Sequence, residues 1–292
     1  MNQILFEGCA TALVTPFRNG KVDFDALAKL LDHQIAGGIR TIVLLGTTSE
    51  ASTLEFEEED AIVEFAKKQI NGRTKIIVGT GSNDTATVIK RSLDAKKMGV
   101  DGLLVVTPYY NKCTQKGLVA HYKAITDAAQ MPIIIYNVPG RTGMNMTPET
   151  VLELAKNPYV VGLKEASGNI EQIVKLANVL EGKLALYSGE DAFDYVYLAL
   201  GATGMISVAA NAFPKQKVAL HTAIKKGDFA QAKKLHNEML DMNNVLFCEV
   251  NPIPVKAMLA HLKLCTDEMR APLTTIEDAN REKLLAVYKK MK

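Results

Sequence analysis

Cysteine is scarce and scattered: Cys9, Cys113, Cys248 and Cys265 lie far apart in 292 residues, with no CxxC pair and no histidine at zinc-ligand spacing. That excludes a disulfide scaffold and points to reduced thiols. The five histidines form neither HxxxH nor HExxH, so no histidine-built metal site is expected. No apolar run approaches the roughly 18 residues that a membrane helix needs. A charge excess of one sign is missing too. Thirty-four Lys and Arg stand against 32 Asp and Glu, a formal charge of +2, which offers no footprint for nucleic acid or an anionic membrane. The opening stretch MNQILFEGCATALVTPF has no basic n-region, so a signal peptide is not expected and the cytoplasm is the expected compartment. Neither a GxGxxG opening a helix after the first strand nor a GxxxxGK(S/T) occurs, which leaves no nucleotide motif. Linkers, low-complexity stretches and charge blocks are also lacking.

What is present is ordinary globular composition, 48% hydrophobic and 23% charged. A chain of this size buries about three-quarters of its unfolded surface, so its core needs no staples. Short apolar runs recur eight times, at 9–15, 41–45, 75–79, 102–106, 132–136, 160–164, 185–188 and 204–207. They are rich in Val, Ile and Leu without polar alternation, as strands buried on both faces of a parallel sheet are.

Helical patterns lie between them, at 25–35, 57–69, 85–98, 117–129, 148–155 and 170–180. Thr147-Pro148-Glu149 predicts a helix start, with an N-cap, a proline at the first position and an acid in the first turn. Gly99 stands where a glycine C-cap belongs. The acidic cluster 55–60 reads as a helix start favoured by the macrodipole rather than as a metal site. Eight strand–helix units in about 220 residues predict an α/β fold, a closed (β/α)8 TIM barrel. After Pro214 the strand signals stop, and 228–244, 254–262 and 275–291 read as helix. The expected organisation is a catalytic barrel over 1–224 with a C-terminal helical region over 225–292.

Barrel enzymes carry their reactive groups at the C-terminal ends of strands. Here those ends are Gly46-Thr47-Thr48-Ser49-Glu50, Thr107-Pro108-Tyr109-Tyr110-Asn111, Tyr136 through Gly143, Gly162-Leu163-Lys164-Glu165, Ser188-Gly189-Glu190-Asp191 and Ile206-Ser207. Lys164 closes an apolar run, so its amine should point into an enclosed barrel mouth. Desolvation there disfavours the ammonium and frees a nucleophilic amine for a Schiff base. An ion pair with Glu165 or another carboxylate is the competing reading. Tyr136, at the end of the preceding strand, is expected to face Lys164 across the mouth and pass protons; otherwise it caps the core with its hydroxyl in water. Thr47 and Thr48 offer hydroxyls and amides to a small carboxylate, although many strand–helix loops look alike. Arg141, in the glycine-bounded turn Gly140-Arg141-Thr142-Gly143, has a fork suited to bidentate carboxylate binding, with a solvated loop arginine as the alternative.

On four motifs in order, Gly46-Thr47-Thr48-Ser49-Glu50, Thr107-Pro108-Tyr109-Tyr110-Asn111-Lys112, Tyr136 through Gly143 and Gly162-Leu163-Lys164-Glu165-Ala166, the sequence resembles the dihydrodipicolinate synthase / N-acetylneuraminate lyase family of Schiff-base-forming barrels over essentially its whole length. The resemblance implies that Lys164 forms an imine with pyruvate and that Tyr136, Thr47 and Tyr110 form a proton relay. It places Tyr110 in the site of a neighbouring subunit, and so implies a homo-oligomer, commonly a tetramer built as a dimer of dimers. It assigns Thr48 to the pyruvate carboxylate and Arg141 to that of L-aspartate 4-semialdehyde, with Gly189 and Ile206 lining the site. No metal or organic cofactor is implied. Sialate lyases and keto-sugar-acid aldolases of the family share the lysine and tyrosine but generally lack this arginine, so Arg141 favours condensation with the semialdehyde.

A catalytically dead barrel that binds pyruvate as a sensor is the non-enzymatic reading, and the presence of all four catalytic residues opposes it. Two departures stand out: Ser49 replaces a usual glycine, which touches only backbone detail of that loop, and Cys113 a common proline. Where lysine-inhibited relatives carry histidines and a glutamate for the effector, this chain has Phe56, Glu59 and Thr87, while Asn83 and Tyr109 remain. Weak or absent feedback inhibition by lysine is therefore expected.

Overall fold

The computed structural model describes residues 3–291. Eight parallel strands form a closed barrel: β1 (Gly8–Ala12), β2 (Thr41–Leu44), β3 (Lys75–Gly79), β4 (Gly102–Val106), β5 (Ile133–Asn137), β6 (Val160–Glu165), β7 (Ala185–Ser188) and β8 (Gly204–Ser207). Each neighbours the next in sequence, and β8 returns to β1. This is the expected (β/α)8 TIM barrel with helices after it. The strands are nearly all buried, which is why their sequences run apolar instead of alternating.

The expected helix signals do their work locally. The Thr147 side chain accepts from the Thr150 backbone N–H, with Pro148 opening the helix Pro148–Leu154. Gly99 takes φ +68°, a left-handed turn that glycine enters without a Cβ clash. In the acidic cluster, Glu55 and Glu58 form a reciprocal capping box on the helix Phe56–Ile70. Glu58 then pairs with Arg270 through both guanidinium nitrogens, each at 2.6 Å.

Some elements were not among the patterns read from the sequence, two helices and a hairpin among them. Helices Asp194–Ala199 and Pro214–Lys225 follow β7 and β8. Two-residue antiparallel strands, Phe17–Arg18 and Lys21–Val22, make a small hairpin. Its turn is Asn19-Gly20, both with positive φ, the backbone that a tight hairpin requires.

The chain forms two compact units. One takes in the N-terminal residues through Gly8 together with Ile76–Ile206; the other takes in Cys9–Lys75 and the chain from Ser207 onward. In the first, Tyr187 stacks on Phe6 with centroids 4.3 Å apart and donates its hydroxyl to the Phe6 carbonyl at 2.7 Å. Gly162 makes room for that ring, since a Cβ there would lie 2.6 Å from Tyr187 Cε2. Gly162 is two residues before Lys164 on β6, and Tyr187 is the register partner of Lys164 on β7.

In the second unit, helix Ile253–His261 is buried on every side for most of its length, and Lys256 sits in it with no exposed surface. Among the described residues, no helix is long and apolar enough to cross a membrane.

Candidate active site

Lys164 and Tyr136 are register partners on the paired strands β5 and β6. The expectation that they face each other across the barrel mouth is therefore replaced by a side-by-side arrangement. Strand alternation sends Lys164 to one face and Glu165 to the other. Glu165 is wholly buried; its carboxylate accepts from Asn137 Nδ2 and from the Ser167 N–H, each at 2.9 Å, with Gln172 nearby. Its lone pairs are thus occupied on its own side of the sheet, and the proposed Lys164–Glu165 ion pair does not form.

Lys164 is 5% exposed, and its Nζ lies 4.3 Å from the centroid of the Tyr136 ring. Burial lowers its pKa from 10.5 to about 8, the negative charge of Asp191 opposes that fall, and the positive charge of Arg141 adds to it. An amine in this state is a nucleophile at near-neutral pH. The Tyr136 phenol moves the opposite way, pushed up to about 12 by burial, so it holds its proton. At neutral pH it is a phenol, not a phenolate.

Gly189, directly after β7, presses on the lysine stem: a Cβ there would stand 3.0 Å from Lys164 Cε and 2.8 Å from Ala166 Cβ. Its N–H donates to the Glu165 carbonyl at 2.8 Å, so the backbone is pinned where only glycine fits. Arg141 lies in the single turn Pro139–Thr142 on an exposed residue, and its charge acts on both Lys164 and Tyr136. Ile206 is buried near the end of β8. Tyr110 differs from these in being 89% exposed, with φ +70°. The structure therefore gathers Lys164, Tyr136 and Gly189 and carries Tyr110 outward.

The Thr47–Thr48 loop belongs to the other unit. Residues 47–49 form a 3-10 turn between Leu45 at φ +55° and Glu50 at φ +56°. Left-handed backbone on a buried leucine costs roughly 1–3 kcal/mol and persists only where surrounding contacts hold it. Those contacts are visible. Ser49 donates its hydroxyl to the Leu13 carbonyl at 2.6 Å. Glu50 accepts from Lys256 Nζ at 2.6 Å and from the Arg270 N–H at 3.1 Å. Both cations also lie over the Phe17 ring, at 4.4 and 4.5 Å. Thr47 is exposed and Thr48 is buried, its hydroxyl accepting from Asn251 Nδ2 at 2.9 Å.

Asn251 and Lys256 were missed in the sequence reading. A lysine inside the otherwise apolar Ile253-Pro254-Val255-Lys256-Ala257-Met258-Leu259 was the available signal, because a buried cation needs a partner. Among the described residues, no three His, Cys, Asp or Glu side chains are grouped to hold a metal.

The family model described as "Dihydrodipicolinate synthetase family" matches residues 5–291. The chain belongs to that family. A 4-hydroxy-tetrahydrodipicolinate synthase from Geobacter metallireducens is 47% identical over 285 residues, covering 98% of each chain. Among solved structures, the chloride-inhibited dihydrodipicolinate synthase of Acinetobacter baumannii, complexed with pyruvate, superposes with a TM-score of 0.96 at 43% identity and 98% coverage of both chains. The Thermotoga maritima dihydrodipicolinate synthase gives 0.97 at 38% identity, covering 98% of this chain and 99% of its own. Family membership and the buried, partly neutral Lys164 agree in pointing to imine chemistry.

Proposed function

We propose that this chain is a cytoplasmic lyase that condenses pyruvate with L-aspartate 4-semialdehyde, the 4-hydroxy-tetrahydrodipicolinate synthase reaction of diaminopimelate and lysine biosynthesis. The observation that carries the reading is the buried Lys164 amine against the Tyr136 ring, with a pKa of about 8. Near-full-length similarity to synthases supports it.

Lys164 Nζ attacks C2 of pyruvate; the carbonyl oxygen leaves as water and a protonated imine forms. Loss of a C3 proton gives the enamine, whose C3 attacks the aldehyde carbon of the semialdehyde. The semialdehyde's amine then attacks the imine carbon, the ring closes and Lys164 departs as the free amine. The imine nitrogen is the electron sink, so these steps balance without a metal or organic cofactor. Tyr136, Thr47 and Tyr110 move the protons. Tyr136 keeps its proton at neutral pH and can supply it to the leaving oxygen.

Thr48 holds the pyruvate carboxylate and Arg141 that of the semialdehyde, while Gly189 and Ile206 line the site. The outward Tyr110 serves the site of a neighbouring copy, which calls for a homo-oligomer, a tetramer in this reading. Arg141 separates this reaction from cleavage of a keto-sugar acid, because a short aldehyde bearing its own carboxylate gives the guanidinium a partner.

The test is intact mass after incubation with pyruvate and borohydride. A stable adduct is expected on the wild type and none on Lys164→Ala. Semialdehyde added before the reductant should consume the enamine and lower adduct yield. No adduct on folded wild-type protein rejects the lysine-imine mechanism.

A further inference from the structure

Thr48 is 3% exposed, and the side chain that touches its hydroxyl, Asn251, is 5% exposed. The two are 203 residues apart in sequence, yet Asn251 Nδ2 lies 2.9 Å from Thr48 Oγ1. A threonine hydroxyl has one proton and two lone pairs. With an amide N–H directed at one lone pair, the hydroxyl proton cannot point that way and must leave in another direction. A hydroxyl that binds a carboxylate has to donate. The amide therefore fixes Thr48 in the donor orientation before any anion arrives.

Both ends of this hydrogen bond are held by the same ion pair. Glu50, two residues after Thr48, is bonded to Lys256, five residues after Asn251, at 2.6 Å with both side chains essentially unexposed. The left-handed Glu50 closes the 47–49 turn, and Lys256 also donates to the Glu268 carbonyl. Preorganisation of this kind avoids reorienting a dipole when the charged ligand binds.

We infer that Asn251 is a positioning residue for pyruvate binding: its amide orients the Thr48 hydroxyl as a donor to the substrate carboxylate, so that the C-terminal region tunes affinity for one substrate. This rests on the assignment of Thr48 to the pyruvate carboxylate. Asn251→Asp keeps the shape but presents an acceptor. The Thr48 proton then turns toward the new carboxylate and lone pairs face the substrate anion.

The experiment is steady-state kinetics of the full-length enzyme with both substrates varied, alongside the borohydride adduct and thermal denaturation. For Asn251→Asp, pyruvate KM rises about tenfold or more, the scale of one hydrogen bond to a charged group, while kcat and the semialdehyde KM stay within about twofold. Asn251→Ala shows the same pattern with a smaller rise and serves if the aspartate variant does not fold. In a Thr48→Val background, Asn251→Ala adds nothing further, because the residue it acts through is gone.

An unmoved pyruvate KM, equal losses on kcat and both KM values, or full additivity in the double variant overturns the inference. A wild type that forms no adduct with pyruvate would sink the Schiff-base reading itself. An adduct on the wild type with unmoved KM values in the variants sinks only the role of Asn251.

Discussion

Replacing Lys164 by methionine separates the two consequences of its burial. Folding lowers the lysine pKa from 10.5 to about 8, chiefly through desolvation. Between those values the unfolded chain holds a proton that the native chain has released, so native stability rises as pH rises through the window. Below about pH 8 the native chain must carry a buried ammonium, and at pH 7 the gap corresponds to a penalty of about 3 kcal/mol.

Lys164→Met removes it. The variant is expected to be more stable than wild type at pH 7 by about that amount, with the advantage shrinking to about 1 kcal/mol near pH 10. The assay is urea denaturation at several pH values, with both proteins in the same buffer series. The same ionisation predicts that the rate of adduct formation by the wild type with pyruvate climbs from pH 6 and levels off above about pH 8. A pH-independent stability difference would refute the argument that burial generates the amine. So would an adduct rate still climbing steeply at pH 10.

Gly189→Ala should lower kcat about 100-fold with the fold intact by circular dichroism, since the added Cβ meets fixed backbone and must displace Lys164 Cε from 3.0 Å. A loss under about threefold would show that the lysine tolerates displacement. Lys256→Met leaves Glu50 as an uncompensated buried charge and should cost about 3–5 kcal/mol in urea denaturation, most of it recovered by adding Glu50→Gln; a cost below about 1 kcal/mol would mean that water reaches the pair. L-Lysine at millimolar concentration should leave the rate within about twofold, because Thr87, which already donates to Asp84 Oδ2, offers the effector amine no carboxylate. Strong inhibition would overturn that expectation.

The strands and the lysine were legible in the sequence because each rests on local chemistry. Val160-Val161-Gly162-Leu163 is buried on both faces wherever it sits in a parallel sheet, and a lysine at its end is desolvated at the barrel mouth. The Asn19-Gly20 turn is equally local, but the two-residue strands it joins lack the apolar run that marks a strand in the sequence. Strand adjacency determined more than periodicity could say. Only the β5–β6 register puts Tyr136 beside Lys164 instead of opposite it.

By itself the sequence determined the fold class and the family, and it singled out Lys164 as the candidate nucleophile. Apolar period, cap residues and a lysine at a strand end act over a few residues, and the order of the four motifs is readable as text. Only the tertiary structure decided which groups hold the site in shape. Asn251 reaches Thr48 and Lys256 reaches Glu50 across about two hundred residues of chain. Such contacts leave no periodic trace, because a hydrogen bond or ion pair between distant segments depends on where the whole chain places two side chains.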